Sequence, residues 1–135
     1  MLVQEGAVRE EFLLASAKQR SARTAVGVRE DGSVVFYTAD SRDSTGMTLA
    51  ELADKMLALG CRNALNLDGG GSTTVVVRNH AGEHEVRNIP SGPAFPFSGE
   101  RYGYEKTEPV GAEQARGVSD AVLIIPKQEN AAGRF

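Results

Sequence analysis

Three consecutive glycines, Gly69 to Gly71, follow an apolar stretch that ends in Asp68. Glycine within regular structure costs roughly 0.5–1 kcal/mol relative to alanine, so a run of three indicates positive φ angles or a close approach by another group. Three hydroxyl residues follow the glycines. The run therefore predicts that a strand ends near Asp68 and that a tight loop follows it.

The clearest periodic pattern lies just before this loop and is helical. Apolar residues recur on one face of a 3.6-residue period, at Leu49, Leu52, Ala53, Met56 and Leu59. Thr48 and Glu51 have the spacing of a capping box, and Gly60 supplies a C-terminal stop. The sequence thus predicts one main helix over about residues 48–59.

Strand patterns surround this helix. TAVGVRED and GSVVFYTAD flank Asp31-Gly32, a strong hairpin signal. We expect a short buried strand at 63–67, two more at 73–78 and 83–88 across the turn NHAG, and a buried closing strand, VSDAVLII, that Pro126 stops. These patterns predict an α+β fold: a mixed, mostly antiparallel sheet packed against one main helix.

The segment 91–117 has no periodicity but carries four aromatic residues, which predicts an ordered lid or a partner-binding loop.

A chain of 135 residues is at most one domain. The net charge of −3 gives no electrostatic reason to expect nucleic acid or an anionic membrane as a partner.

The cysteine and histidine content also limits the functions that the chain can have. Cys61 is the lone cysteine, which excludes an internal disulfide, and we expect it to be a small buried side chain after the helix. His80 and His84 flank a probable turn, so we interpret them as solvated rather than as a metal pair.

No apolar stretch approaches the ~20 residues of a membrane span. The first residues lack a signal-peptide pattern, which predicts a cytoplasmic location for the chain as it stands.

Taken alone, D-G-G-G-S is equally compatible with a tight connection and with a functional site. It has neither the Walker spacing, nor the dinucleotide fingerprint, nor the nucleophile-elbow pattern. A carboxylate at a strand end beside glycine N–H groups places a proton-transfer group next to an anion-binding nest. Asp68 could therefore serve as a general acid or base, or as a nucleophile at an anomeric carbon.

Four stretches resemble the phosphodiester glycosidase family: RTAVGV at 23–28, GMTLAELADKMLALGCRNALNLDGGGST at 46–73, NIPS at 88–91 and RGVSDAVLII at 116–125. The resemblance implies a family domain over residues 1–126, corresponding to the C-terminal portion of that domain, with a frayed tail at 127–135. It also implies hydrolysis of the glycosidic bond of a sugar-1-phosphodiester, with an N-acetylglucosamine-type substrate. Members of the family are often exported.

The resemblance implies that Asp68 is catalytic. It implies a substrate-binding role for seven further residues: Arg23, Gly69, Gly70, Gly71, Ser72, Asn88 and Arg116. Glycoside hydrolysis generally uses two carboxylates. The second is expected to be Glu100, Glu105 or Asp120, or to lie outside this chain. No cofactor is expected, although a divalent cation near Asp68 stays open.

Two other functions remain open, a non-catalytic module that binds a glycan or a protein, and a phosphodiesterase that acts on nucleotide sugars. The family's earlier strands have no counterpart here, so we expect an uncovered strand edge at TAVGV or AVLII and exposed apolar surface. That expectation favours a homodimer, or a complex with a chain that supplies the missing strands.

Overall fold

The computed structural model describes residues 1–9, 17–41, 46–88 and 121–125. Five strands form one sheet in the order β2-β1-β5-β3-β4, with antiparallel pairing between neighbours. The strands and the helix run in chain order as β1 Val3–Gln4, β2 Ala7–Val8, β3 Arg23–Arg29, β4 Val34–Ala39, α1 Leu49–Ala58 and β5 Cys61–Asn66. A separate hairpin, β6 Val76–Arg78 with β7 His84–Val86, follows the glycine loop. This is the predicted α+β architecture.

The predicted β3–β4 hairpin is confirmed, with Val26 opposite Phe36 and Val28 opposite Val34. In its turn, Asp31 Oδ1 accepts from the Ser33 N–H over 2.8 Å. Hydrogen bonding from Ser33, first from its side chain and then from this N–H, lowers the pKa of Asp31. The turn is therefore set by local chemistry that a sequence pattern can identify.

The helix begins as its capping box predicts. Thr48 Oγ1 accepts from the Glu51 N–H, and Glu51 Oε2 accepts from the Thr48 N–H over 2.9 Å. The hydrogen bond from the Thr48 backbone, followed by the one from Arg20, lowers the pKa of Glu51. The helix ends at Ala58, with Leu59 as its C-cap, and the predicted glycine stop, Gly60, follows at a φ of 80°. No helix in the described ranges is long and apolar enough to cross a bilayer.

The core lies between α1 and one face of the sheet. Its buried side chains come from the sheet strands, the residue before β1 and the helix: Leu2, Val3, Ala25, Leu52, Ala53, Met56, Cys61 and Ala64. The expected burial of Cys61 is confirmed, and desolvation raises the pKa of its thiol. The helix therefore covers one face of the sheet.

That second face is apolar and uncovered by the described residues. Side chains directly opposite in a ladder share a face, as do residues two apart in a strand. The register therefore places five apolar residues together, and we call them the apolar sheet face: Val26, Val28, Val34, Phe36 and Leu65. Val34 is 55% exposed, Leu65 45% and Phe36 42%. Among the residues that the structure describes, apolar surface of the expected kind is therefore exposed.

Four expectations need correction. TAVGV is not an edge, because β3 pairs with both β4 and β5. Strand β5 starts at Cys61 rather than Asn63, since the helix stop directly precedes it. It is also less buried than predicted, because only Cys61 and Ala64, which face the helix, are buried. Strand β6 starts at Val76, because the chain from Gly70 first makes a 3-10 turn. Residues 121–125 lie in no strand and are exposed, since no described strand pairs with them.

The predicted hairpin that carries the histidines is confirmed over β6 and β7. His80 lies exposed in its turn and His84 lies exposed on β7. The predicted lid at 91–117 and the tail at 127–135 lie outside the described residues.

Candidate functional site

The glycine loop folds back against the residues that lead into β3. The Leu67 N–H donates to the Thr24 carbonyl and the Gly70 N–H to the Ala22 carbonyl, both over 2.8 Å. A Cβ on Gly69 would lie 2.7 Å from the Ala22 oxygen, far inside van der Waals contact. Gly70 has a φ of 59°, which side chains disfavour. The two reasons expected for glycine therefore both occur: a close approach requires glycine at position 69, and a positive φ favours it at position 70.

Most N–H groups of this loop already donate within the chain. The Gly69 N–H donates to Asp68 Oδ1 over 2.9 Å, and the Ser72 and Thr73 N–H groups donate to the Gly69 and Gly70 carbonyls. With the Gly70 donation to Ala22, four N–H groups from Gly69 to Thr73 are engaged. The loop is therefore a pre-ordered turn rather than a row of open donors, and Ser72 in it is half-buried.

Asp68 lies exposed where β5 gives way to this loop. Its Oδ1 accepts from the next residue's N–H, which fixes the carboxylate at the end of the sheet. Exposure lets the carboxylate reach a ligand, and the backbone donor limits the orientations it can adopt. The geometry is that of a positioned acceptor or proton-transfer group.

Arg23 enters the same end of the sheet but is 9% exposed. Its Nε donates to the Met47 carbonyl over 2.9 Å and its Nη2 to the Gln19 carbonyl over 2.7 Å. Burial lowers the pKa of its guanidinium. These contacts make Arg23 a brace between two backbone segments, and a role in holding phosphate stays a prediction.

Asn88 is also engaged with the protein. Its Oδ1 accepts from the Val75 N–H over 2.7 Å, and its Nδ2 donates to the Thr73 carbonyl over 2.8 Å and to Asp40 Oδ1 over 2.9 Å. Buried Thr73 in turn accepts a hydrogen bond from the Thr24 hydroxyl. Asn88 therefore clamps the segment after the glycine loop to the end of β4, and its predicted contact with a sugar hydroxyl stays a prediction.

The structure brings Asp68, the glycine loop, Arg23 and Asn88 to one end of the sheet. It also brings Asp40 there, which the sequence analysis missed; the hairpin register could have found it, since Arg23 lies opposite Ala39. Four predicted residues lie outside the described ranges: Glu100, Glu105, Arg116 and Asp120. Among the residues that are described, no three acidic, histidine or cysteine side chains cluster as metal ligands.

The chain is an α+β protein whose antiparallel sheet is covered by a helix on one face and carries a carboxylate and a glycine loop at one end. A sequence model described as phosphodiester glycosidase matches residues 1–125. The chain belongs to the phosphodiester glycosidase family.

Individual relatives match parts of the chain. Human N-acetylglucosamine-1-phosphodiester alpha-N-acetylglucosaminidase is 45% identical over 58 residues, which is 42% of this chain and 11% of the human protein. The SPbeta prophage-derived protein YomE of Bacillus subtilis is 40% identical over 72 residues, 52% of this chain and 11% of that protein.

A solved structure is similar as well. The zebrafish N-acetylglucosamine-1-phosphodiester alpha-N-acetylglucosaminidase catalytic domain, auto-inhibited by its pro-peptide, has a TM-score of 0.54 at 28% identity. The match covers 67% of this chain and 33% of that domain's chain. This chain therefore corresponds to about a third of the solved relative and to a smaller share of the curated ones.

Proposed function

We propose that this chain hydrolyses the glycosidic bond of a sugar-1-phosphodiester with an N-acetylglucosamine-type sugar. The observation that carries the proposal is the placement of Asp68, an exposed carboxylate tied to its own glycine loop at the end of β5. The human relative that is 45% identical over 58 residues is named for this reaction, which supports the substrate class.

The chemistry assigns the carboxylate a definite task. Hydrolysis breaks the bond between the anomeric carbon and the phosphate oxygen, and one water supplies OH to the sugar. The departing group is a phosphomonoester whose second pKa is about 6, so it leaves at neutral pH with little help from a general acid. The harder task is supplying the nucleophile. Asp68 therefore acts as the base that takes the proton of the attacking water, or as the nucleophile itself.

The remaining predicted residues hold the substrate in this proposal. The Gly71 N–H and the Ser72 hydroxyl face a phosphate oxygen beside Asp68. Arg23 supplies positive charge from beneath the loop, and Arg116 supplies it from the segment after β7. Asn88 orients a sugar hydroxyl. No cofactor takes part, and a divalent cation beside Asp68 is a separate question that chelation with EDTA addresses.

The test combines a substrate assay with an isotope label. The chain is incubated with an α-linked N-acetylglucosamine-1-phosphodiester in ¹⁸O-water, and the products are analysed by mass spectrometry. Hydrolysis at the sugar carbon places the label in free N-acetylglucosamine. A phosphodiesterase acting on nucleotide sugars would instead place it in phosphate, and a binding module would release nothing. Asp68→Asn should abolish the reaction, whereas Asp54→Asn, which alters an exposed carboxylate on α1, should not.

A second proposal concerns assembly. The apolar sheet face is uncovered within the described part of the chain, and exposed patches of this kind usually mark an interface. We propose that a second copy of this chain covers it, in a two-fold arrangement that places identical faces together. Light scattering at micromolar concentration should then give the mass of a dimer. A monomer would contradict the proposal, and a polypeptide carrying the family's earlier strands would be the next occupant to test.

A further inference from the structure

We infer that Thr73 is a positioning residue of this site, which fixes the end of the glycine loop and thereby sets the position of Ser72. The inference rests on the proposed function, in which Ser72 contacts the substrate phosphate. Thr73 itself is fully buried, whereas Ser72 beside it is half-buried. A substrate cannot touch Thr73, so any effect of Thr73 on turnover must pass through the residues that it holds.

The glycine loop crosses the end of β3 from one side of the sheet to the other. Asp68 continues the side of β5 that faces the helix, whereas Thr24 lies on the same side of β3 as the apolar sheet face. Between these two points the Gly70 N–H donates to the Ala22 carbonyl. The loop then reaches Thr24 through Thr73. The loop is therefore a strap over the chain that enters β3, and Thr73 is its far attachment.

Three hydrogen bonds hold Thr73 in place. Its N–H donates to the Gly70 carbonyl over 3.2 Å, at the end of the 3-10 turn Gly70–Ser72. Its Oγ1 accepts from the Thr24 hydroxyl over 3.1 Å, and its carbonyl accepts from the Asn88 amide over 2.8 Å. The N–H, the side chain and the carbonyl thus each have a partner in a different part of the chain, which fixes both the position and the orientation of Thr73.

Ser72 lies between this attachment and the fixed start of the loop. The Gly70 N–H is bound to Ala22 over 2.8 Å, and the Ser72 N–H donates to the Gly69 carbonyl over 3.1 Å. The main chain of Ser72 is therefore held on both sides before a substrate arrives. A group that is already placed contributes more to a reaction than one that must be ordered on binding, so release of Thr73 should slow turnover.

Thr73→Val removes the hydroxyl and keeps the shape of the side chain. We expect kcat/KM for the sugar-1-phosphodiester to fall by about 10-fold. Thr24→Val removes the other hydroxyl of the pair and should act similarly, whereas Thr73→Ser retains the hydroxyl and should keep most of the activity. Thr74→Val is the matched control. Among the described residues, the buried Thr74 Oγ1 has no hydrogen-bond partner, so its loss should leave kcat/KM unchanged.

A Ser72→Ala background separates positioning from a purely structural role. If Thr73 acts through Ser72, Thr73→Val should change kcat/KM by less than about twofold once Ser72 is alanine. A purely structural role would lower the melting temperature and leave kcat/KM of the folded chain unchanged. The same four variants are compared for affinity to N-acetylglucosamine-1-phosphate by calorimetry, which gives the coupling between the two residues even where Ser72→Ala is inactive.

The outcomes are distinct. A loss in Thr73→Val that disappears in the Ser72→Ala background, while Thr74→Val stays active, supports the inference. An equal loss in both backgrounds, or turnover by Thr73→Val close to that of the wild type, overturns it and leaves the proposed hydrolysis intact. If Thr73→Val does not fold, Thr24→Val provides the same comparison. Absence of any hydrolysis by the wild-type chain overturns the proposed function, and the role of Thr73 with it.

Discussion

Arg23 donates from its Nε to the main-chain carbonyl of Met47 over 2.9 Å, which ties the start of β3 to the residue before the cap of α1. Ser21 and Met47 reinforce this link by exchanging backbone hydrogen bonds of 2.9 and 3.2 Å. The Gly70 N–H reaches the neighbouring Ala22 carbonyl. Three segments far apart in sequence therefore meet beneath the glycine loop, and Arg23 secures two of them.

Replacing Arg23 by lysine should lower stability. Lysine cannot reach two carbonyls in the fixed directions of a guanidinium, so one partly buried carbonyl loses its charged donor. Hydrogen bonds to charged groups contribute about 1.5–3 kcal/mol, and we expect a loss in the lower part of that range in urea unfolding. Arg62→Lys is the matched control, because its ion pair with Glu30 is exposed and should contribute little.

The same variant also tests the role of Arg23 in phosphate binding. Calorimetry with a phosphorylated sugar should show weaker binding by Arg23→Lys if the guanidinium contacts phosphate. Lower stability with unchanged affinity would restrict Arg23 to the bracing role. An unchanged urea midpoint would contradict the bracing role itself.

Substitutions in the glycine run should differ by mechanism. Gly70→Val should cost more than Gly70→Ala, because a β-branched residue is strained at a φ of 59°, by about 1–3 kcal/mol. Gly32→Ala is the control, since Gly32 also has a positive φ and its Cβ would meet nothing within 4 Å. Equal melting temperatures for the two Gly70 variants would show that the backbone angle is unimportant there.

Gly69→Ala should destabilise the loop for a steric reason. Its φ of −127° is open to any residue, but the added Cβ would meet the Ala22 oxygen at 2.7 Å. Backbone on both sides must then move apart, and the hydrogen bond from Gly70 to Ala22 should weaken. Faster hydrogen exchange at the Gly70 amide is the expected sign. Exchange as slow as in the wild type would show that the loop absorbs the methyl group without moving.

Low pH should weaken the start of α1. Hydrogen bonds from Thr48 and Arg20 favour the charged form of Glu51 and hold its pKa below the usual value. Stability from this group is therefore complete at neutral pH and is lost as pH falls below about 4. Glu51→Gln keeps capping-box geometry without titrating, so the stability difference between wild type and variant should shrink from pH 6 to pH 3. A constant difference would contradict a charge-dependent cap.

The features that could be predicted from the sequence depend on neighbouring residues. The Thr48–Glu51 cap and the Asp31 turn are local contacts, and both were predicted. The contact between Asn88 and Asp40 spans 48 residues and leaves no periodic pattern, so the sequence predicted Asn88 but missed Asp40. Apolar character alone also gave a wrong prediction at residues 121–125, which have the composition of a buried strand. A strand needs a hydrogen-bonding neighbour, and no described strand supplies one.

The apolar sheet face allows the dimer proposal to be tested residue by residue. Phe36, 42% exposed on β4, lies opposite Val26 near the middle of this face. Phe36→Thr keeps strand preference but removes most of the apolar contact area, so it should shift the dimer toward monomer without unfolding the chain. Leu57→Gln is the matched control, because Leu57 is 38% exposed on the helix and outside this face. Sedimentation velocity across a concentration series measures both variants. Equal dissociation constants for Phe36→Thr and the wild type would place the dimer contact elsewhere.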